Sequence, residues 1–241
     1  MAILNDSAVE PGTPPAESPP PFVVDSDGKV DLDRWSGPGE PPPDAFTVLG
    51  LPRRLLLDPK HLDLRFRSLI RDLHPDRFHV SGPDAVRKAE RHSSLANDAY
   101  RALRDFERRV RLLLELEGHA VDEKFRPSPA LLGQVLEINE ALDALQEALA
   151  DGAPAAAAAA RGEIAATGRE LGDARQALSD RLYDAARRWD AAQAPDAAAD
   201  LASLARRDLR AALGEASYLD NLLARVQAAL LPTQAPTPTQ S

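Results

Sequence analysis

The stretch that decides the fold runs from Asp58 to Phe78 and reads DPKHLDLRFRSLIRDLHPDRF. Asp58 is suited to cap a helix, and Pro59 suits the first helical position, where no N–H is needed. Apolar residues then recur at spacings of three and four, which predicts one buried face of an α-helix. They are Leu62, Phe66, Leu69, Ile70 and Leu73. Because Pro75 disfavours the helical conformation at its predecessor, the helix must end near His74.

One flank of this helix is basic. Lys60, Arg67 and Arg71 stand at i, i+7 and i+11, beside the apolar face. The simplest interpretation is an ordinary solvated helix face. The alternative is a surface for an acidic partner, because exposed cations raise the encounter rate and orient the complex. Spacing alone does not separate the two.

The flanking sequence predicts further helices. Ser81-Gly82-Pro83 marks a loop, after which a second long helix continues well past residue 100. Its apolar positions keep a three-four spacing and are Ala96, Ala99, Leu103, Phe106, Val110 and Leu113. Ahead of both helices, Asp44 as N-cap and Gly50 after the last turn favour a short helix.

The C-terminal part predicts three more helices joined by short connections, which implies an antiparallel bundle. The first has a seam at Leu131, Val135, Ile138, Leu142, Leu145 and Leu149. The second carries Ile164, Leu171, Leu178, Leu182, Ala185 and Trp189, and its glycines 162, 168 and 172 each cost about 1 kcal/mol relative to alanine. The third carries Leu201, Ala205, Ala212, Ala216, Leu219, Leu223, Val226 and Leu230.

Composition divides the 241 residues into regions. Residues 1–43 hold 10 of the 21 prolines and are acidic, which predicts a disordered tail. Residues 44–117 carry net positive charge and form a first domain, residues 118–232 carry net negative charge and form the bundle, and residues 233–241 are expected to fray. Aromatic residues are scarce and alanine and leucine abundant, so the predicted fold class is all-α.

Several function classes are disfavoured. The chain has no cysteine, which excludes a disulfide scaffold, a thiolate nucleophile and a cluster held on its own thiolates. We find neither a membrane-spanning run nor a secretory or mitochondrial leader, so a cytoplasmic protein is expected. Nucleic-acid binding is disfavoured because the net charge is −9 and no aromatic residues are interleaved with the basic ones.

The tripeptide His74-Pro75-Asp76 lies between the two long helices and has three interpretations on its own. A catalytic His–Asp pair would need a nucleophile, yet there is no Gly-x-Ser-x-Gly elbow or Gly-rich phosphate loop. A metal site using His74, Asp76, His79 and His92 lacks a helical i, i+4 histidine pair. A structural turn, with Asp76 capping the next helix, is the default for the tripeptide alone.

In context, a helix with a basic flank, an HPDR turn (74–77), a loop and a second antiparallel helix resemble a J-domain. The wider pattern is similar to HscB, the J-protein co-chaperone of iron–sulfur cluster assembly, over about residues 44–231. It comprises FTVLGLP (46–52), LRF (64–66), HPDRF (74–78), LANDAY (95–100), LLL (112–114), Gly118, VLEINE (135–140), DAAAD (196–200) and YLDNL (218–222).

The resemblance implies a function without catalysis by this chain. J-domains dock onto an ATP-dependent chaperone of the DnaK/HscA class and stimulate its ATP hydrolysis, so the partner is the enzyme. The residues expected to contact the chaperone are His74, Pro75, Asp76, Arg77, Lys60, Arg67 and Arg71. No catalytic residue, metal or cofactor of this chain is expected. Physically, a turn fixed by proline presents a short acid that can pair with an arginine of the partner.

The resemblance also implies that the C-terminal bundle binds the IscU-type scaffold through Leu132, Leu136 and Tyr218. The pattern agrees, because Leu132 and Leu136 form an i, i+4 pair about 100° from the seam, and Tyr218 and Leu222 form a similar pair. Two alternatives stay open: a J-domain adaptor for another client, and a purely structural helical scaffold. The acidic tail is a candidate competitor for the basic flank of Lys60, Arg67 and Arg71.

Overall fold

The computed structural model describes residues 23–24, 30–33, 43–120, 127–198 and 200–231. Within them the chain forms seven α-helices and one 3₁₀ helix, and no helix there combines the length and apolarity of a membrane span. They are α1 (Ala45–Leu49), α2 (Pro59–Asp72), the 3₁₀ helix (Pro75–Ser81), α3 (Pro83–Arg104), α4 (Phe106–Leu116), α5 (Pro129–Ala150), α6 (Pro154–Ala191) and α7 (Leu201–Leu230). Most of the predicted tail 1–43 and all of 233–241 lie outside the described residues.

Internal contacts divide the chain into two compact units, residues 1–109 and 110–241. The division falls inside α4, ahead of the boundary that charge predicted near Gly118. We call the two parts the N-terminal unit and the C-terminal unit. The functional domain boundary near Gly118 stays a prediction.

Local sequence signals set the helix ends of the N-terminal unit. The Asp44 side chain accepts hydrogen bonds from the N–H groups of Phe46 and Thr47, at 3.0 and 3.1 Å. Gly50 ends α1 in the left-handed conformation, with φ of 62°, which glycine adopts without a steric penalty. Asp58 caps α2 by accepting from the Lys60 N–H at 3.0 Å. The predicted short helix and the predicted start of the first long helix are confirmed.

The core of this unit lies where the apolar spacing predicted it. Leu62, Leu69 and Leu73 of the predicted α2 face are buried, and α1 and α3 cover them. Alanines make up most of the buried side of α3 and let the helices approach closely. Its buried positions are Ala89, His92, Ala96, Ala99 and Leu103.

The prediction of one continuous helix beyond residue 100 is wrong, because the chain breaks at Asp105. That residue has an extended backbone, with ψ of 124°, and separates α3 from α4. Its carboxylate accepts from the Arg108 N–H at 2.9 Å, so Asp105 acts as a helix cap. The apolar spacing continues across the break through Phe106 and Val110, and therefore gave no sign of it.

The C-terminal unit contains the predicted bundle, in which α6 packs along both α5 and α7. Three ion pairs join α6 to α7, and their numbering runs in opposite directions, as antiparallel helices require. They are Arg175–Asp220 at 2.8 Å, Arg181–Glu215 at 3.2 Å and Arg188–Asp208 at 2.8 Å. All six predicted core residues of α6 are buried. The all-α fold class with a three-helix C-terminal bundle is confirmed.

Two details of the bundle seams are wrong. Leu149 is exposed, and Ala148 is buried in its place. In α7 the buried position is Leu222, only 4% exposed, whereas Leu223 is half-buried. A seam of alternating three- and four-residue steps has a period of 3.5 residues, whereas an α-helix has 3.6 residues per turn. Over several turns the seam therefore drifts from the buried face.

Candidate partner-binding surfaces

The turn after α2 is built by His74 and Pro75. His74 has φ of −60° and ψ of 127°, the extended conformation that a following proline imposes. Its Nδ1 accepts from the Asp76 N–H at 3.3 Å, so the imidazole caps the 3₁₀ helix, with Pro75 in its first turn. The Arg77 N–H closes the turn onto the His74 carbonyl at 3.0 Å. The backbone at this position is therefore fixed by covalent restriction and by hydrogen bonds together.

Asp76 projects from the turn with 77% of its side chain exposed. Its two carboxylate oxygens lie 3.5 Å from His74 Nδ1 and 3.3 Å from His79 Nε2. Exposed pairs of this kind contribute about 0–1 kcal/mol, and the carboxylate stays accessible to a cation of a partner.

The turn is held in place by hydrogen bonds to both long helices, α2 and α3. Leu73 is fully buried, and its carbonyl accepts from the Ser93 hydroxyl of α3 at 3.3 Å. Beyond the turn, Arg77 donates to the Asp72 carboxylate at 3.2 Å. Arg77 thus ties the 3₁₀ helix to the last residue of α2 while 58% of its side chain stays exposed.

The three predicted cations of α2 are all exposed. Arg71 bonds the Ser68 hydroxyl at 3.2 Å, and its Nε lies 3.9 Å from an oxygen of Asp72. Because they are separated by seven and four residues within α2, Lys60, Arg67 and Arg71 share one side of it and lead toward the turn. We call this side, defined by those three residues, the basic flank.

Side-chain contacts with α1 and α3 hold α2 in place, and the sequence analysis did not assign this role to the residues that make them. Phe66 stacks on Tyr100 with ring centroids 4.2 Å apart, and Tyr100 donates to the Asp63 carboxylate at 2.6 Å. That hydrogen bond, with smaller effects of burial and the charge of Asp63, raises the pKa of Tyr100. Arg65 donates to the carbonyls of Leu49 and Gly50 at 3.2 and 3.0 Å, which joins α2 to the end of α1.

Part of the predicted tail also packs on this unit, at α3. His92 is buried, and its Nε2 lies 3.0 Å from the Leu32 carbonyl. Asp33 pairs with Lys88, and Val23 is buried, bonded through its carbonyl to the Asp31 N–H at 2.8 Å. Burial lowers the pKa of His92, and the nearby cations Arg91 and Lys88 add to the effect. The described part of the tail thus contacts α3, whereas the sequence suggested the basic flank.

The structure separates the four residues that were considered as a metal site. His92 bonds the tail segment, whereas His74, Asp76 and His79 lie together at the exposed turn. Across the residues that the structure describes, no group of three or more His, Asp or Glu side chains could hold a metal ion.

The C-terminal unit exposes the two leucines that the pattern placed outside the seam. Leu132 is 51% exposed and Leu136 is 59% exposed, whereas Leu131 and Ile138 of the same helix are buried. Tyr218 of α7 is half-buried. Leu222, which the sequence paired with Tyr218 on the surface, belongs instead to the core.

One hydrogen bond places these residues on the same side of the bundle. Arg225 of α7 donates to the side-chain oxygen of Asn139 on α5 at 2.6 Å. Asn139 follows Leu132 and Leu136 at i+7 and i+3, so all three share one face of α5. Tyr218 stands seven residues before Arg225 and shares its face of α7 in the same way. We call Leu132, Leu136 and Tyr218 the apolar stripe.

Comparison with known proteins assigns the family. The curated co-chaperone HscB homologues of Bordetella pertussis and Bordetella bronchiseptica are each 38% identical over 123 residues, which cover 50% of this chain and 69% of theirs. The chain belongs to the HscB family. Its predicted family and its J-domain co-chaperone role in iron–sulfur cluster assembly are thereby confirmed. No protein-family profile matches the chain.

Two solved HscB structures share the fold at 21% identity. The chaperone HscB from Vibrio cholerae aligns with a TM-score of 0.55 over 77% of this chain and 96% of its own. The human co-chaperone HscB aligns with a TM-score of 0.57 over 93% of this chain and 98% of its own. At this identity the likeness concerns the HscB fold alone.

Proposed function

We propose that this chain stimulates ATP hydrolysis by a DnaK/HscA-class chaperone and brings an IscU-type iron–sulfur scaffold to it. The chaperone binds and hydrolyses the ATP, so the chain itself is no enzyme and works without metal or cofactor. The proposed site of action is the cytoplasm. The chaperone-binding residues are His74, Pro75, Asp76, Arg77, Lys60, Arg67 and Arg71.

The observation that carries the proposal is the exposed carboxylate of Asp76 on a turn with a fixed backbone. A carboxylate on a backbone that is already fixed loses less conformational freedom when it pairs with an arginine of the chaperone. The basic flank beside it attracts an acidic surface and sets the orientation of the encounter. Such contacts are suited to a complex that forms and dissociates in each cycle.

The scaffold is proposed to bind the apolar stripe. Leu132 and Leu136 each expose more than half of their surface on one face of α5, and the Asn139–Arg225 hydrogen bond links that face to Tyr218 on α7. Apolar patches rimmed by polar groups are typical of protein–protein interfaces. The proposed division of labour assigns residues 44–117 to the chaperone and residues 118–232 to the scaffold.

The test is single-turnover ATP hydrolysis by DnaK- and HscA-class chaperones, with this chain and an IscU-type scaffold in all combinations. We expect stimulation by the chain, and a further increase when the scaffold is added. Asp76→Asn should remove the stimulation. Asp84→Asn, an exposed aspartate at the start of α3, is the matched control and should leave it unchanged.

Each remaining outcome corrects a stated part of the proposal. Stimulation that needs Asp76 but ignores the scaffold would leave a J-domain adaptor with another client. No stimulation of any chaperone, or full stimulation by Asp76→Asn, would reduce His74-Pro75-Asp76 to a structural turn.

A further inference from the structure

An exposed leucine lies within the basic flank. Leu64 of α2 is 67% exposed, although the neighbouring apolar residues Leu62 and Leu69 are buried. It follows Lys60 by four residues and precedes Arg67 by three. Residues at these separations are neighbours on a helix surface, so the leucine is bracketed along the helix by exposed cations.

The fold gives no reason for a leucine at this position. Core packing of α2 is supplied by its opposite face, and a lysine or glutamate would have the same helix propensity with better solvation. A single exposed leucine is common on protein surfaces and by itself indicates nothing. The surrounding charge makes this one different, because the basic flank predicts that an acidic partner surface will cover it.

We infer that Leu64 is the apolar anchor of the chaperone-binding surface and inserts into an apolar recess of the partner's acidic surface. This inference rests on the proposed function. It adds an apolar contact to the charged contacts of Asp76 and the basic flank. The stems of Lys60 and Arg67 can cover the rim of the contact while their charges meet the partner's carboxylates. An apolar centre with a polar rim is the usual arrangement of an interface hot spot.

The two kinds of contact predict different responses to salt. Cations act over long range, so their contribution to association is screened as ionic strength rises. A buried leucine acts only after contact and slows dissociation, and salt in the range that screens charges leaves this effect in place. The anchor and the basic flank are therefore separable in one titration.

The experiment measures the concentration of this chain that gives half-maximal stimulation of the chaperone's single-turnover ATP hydrolysis, at low and high salt. Leu64→Ala should raise it roughly fivefold to tenfold at both salt concentrations. Maximal stimulation should be unchanged, because Asp76 and its turn are intact. Leu64→Met should restore most of the loss, because it returns a long apolar side chain.

Val80→Ala is the matched control, since Val80 is fully exposed in the 3₁₀ helix. It should change the half-maximal concentration by less than about twofold, as expected for a surface position outside a hot spot. Arg67→Gln provides the contrast, with an effect at low salt that disappears at high salt. Circular dichroism should show the same helicity and melting for wild type, Leu64→Ala and Leu64→Met, because the side chain lies outside the core.

The inference is overturned if Leu64→Ala stimulates like wild type while Asp76→Asn does not stimulate, and the proposed function then stands without it. It is also overturned if Leu64→Ala only abolishes self-association in sedimentation equilibrium, because the leucine then contacts a second copy of the chain. If wild type stimulates no chaperone, the proposed function and the inference fail together.

Discussion

The two proposed surfaces of this molecule differ in their physical character. The N-terminal surface presents an exposed carboxylate and the basic flank, with Leu64 as one apolar residue among charges. The C-terminal surface presents exposed leucines on α5, next to a half-buried tyrosine on α7. The first surface is suited to fast, transient, salt-sensitive contacts, and the second to contacts that persist when salt is added.

This difference matches the proposed division of labour. A chaperone has to be released in each ATP cycle, whereas a scaffold has to remain bound until the chaperone receives it. Charge gives rapid association at modest affinity, and burial of leucine side chains gives a slow dissociation rate. Four predictions would break or sharpen the comparison.

The largest expected effect concerns the apolar stripe. Leu132→Ala combined with Leu136→Ala should weaken scaffold binding about a hundredfold, because two leucines leave the centre of an interface. The loss should be the same at low and high salt, and direct stimulation of the chaperone should be unchanged. Isothermal titration calorimetry with the scaffold measures it, and Leu149→Ala, another exposed leucine, is the control. Equal affinity of the double variant and wild type would remove the site assignment.

Mutations in the basic flank should have a smaller effect, and this effect should depend on the salt concentration. Arg67→Gln with Arg71→Gln should reduce stimulation of the chaperone about tenfold at low salt and hardly at all at high salt, since screening removes the contribution that the mutations remove. Scaffold affinity should not change. The matched control is Arg101→Gln, an exposed arginine of α3. A loss that is independent of salt would contradict an electrostatic role for the flank.

A third prediction concerns the packing of α6 against α7 in the C-terminal unit. A Cβ at position 168 would lie 2.7 Å from Val226 Cγ1, whereas nothing lies within 4 Å of one at Gly162 or Gly172. Gly162→Ala and Gly172→Ala should each stabilise the bundle by about 1 kcal/mol, seen as a rise in Tm of about 2–4 °C. Gly168→Ala should instead lower Tm, because valine is stiff and the two helices must separate. A rise with all three substitutions would show that the close contact relaxes freely.

The fourth prediction is that lowering the pH destabilises the N-terminal unit more than the C-terminal unit. Burial holds the pKa of His92 below its usual 6.5, so as pH falls below about 6.5 the unfolded chain binds more protons than the folded one. The stability of the N-terminal unit should therefore decrease between pH 7 and 5. No histidine lies in α5, α6 or α7, and the C-terminal helices should change less. Hydrogen exchange of α3 and α7 measures both.

The control for this prediction is His92→Gln. Glutamine keeps a donor for the Leu32 carbonyl and does not titrate, so the pH dependence of α3 exchange should flatten. An unchanged pH profile in this variant would assign the effect to other groups.

The sequence predicted α1 and the starts of α2 and α3 to within a residue, because capping aspartates, prolines and a glycine determine these points locally. Asp44 and Asp58 accept hydrogen bonds from the first N–H groups of their helices, and Gly50 ends α1 with positive φ. The exposure of Leu132 and Leu136 was also predictable, since both lie off a well-defined seam. In α6 and α7 no side chain caps the first turn, so tertiary packing holds these ends and the local sequence says less about them.

Other features depend on atoms far apart in the chain. Asp105 was missed as a break because the apolar spacing continues past it, and that spacing does not distinguish a capping aspartate from one on the exposed face of a helix. The contact of His92 with Leu32 spans 60 residues, and the acidic tail gave no sign of it in composition. Leu222 was predicted on the surface because its burial depends on the rotation of α7 against α6.

By itself, the sequence determined the helical class, the capped ends of the N-terminal helices, the proline-fixed turn and the family. Each of these depends on a dihedral restriction, a local hydrogen bond or a periodicity that neighbouring residues carry. Only the tertiary structure decided that Leu222 is buried and Leu149 exposed, where the tail segment packs and which faces of α5 and α7 meet at Asn139 and Arg225. The reason is that burial is a property of packed surfaces, which residues distant in the chain create together.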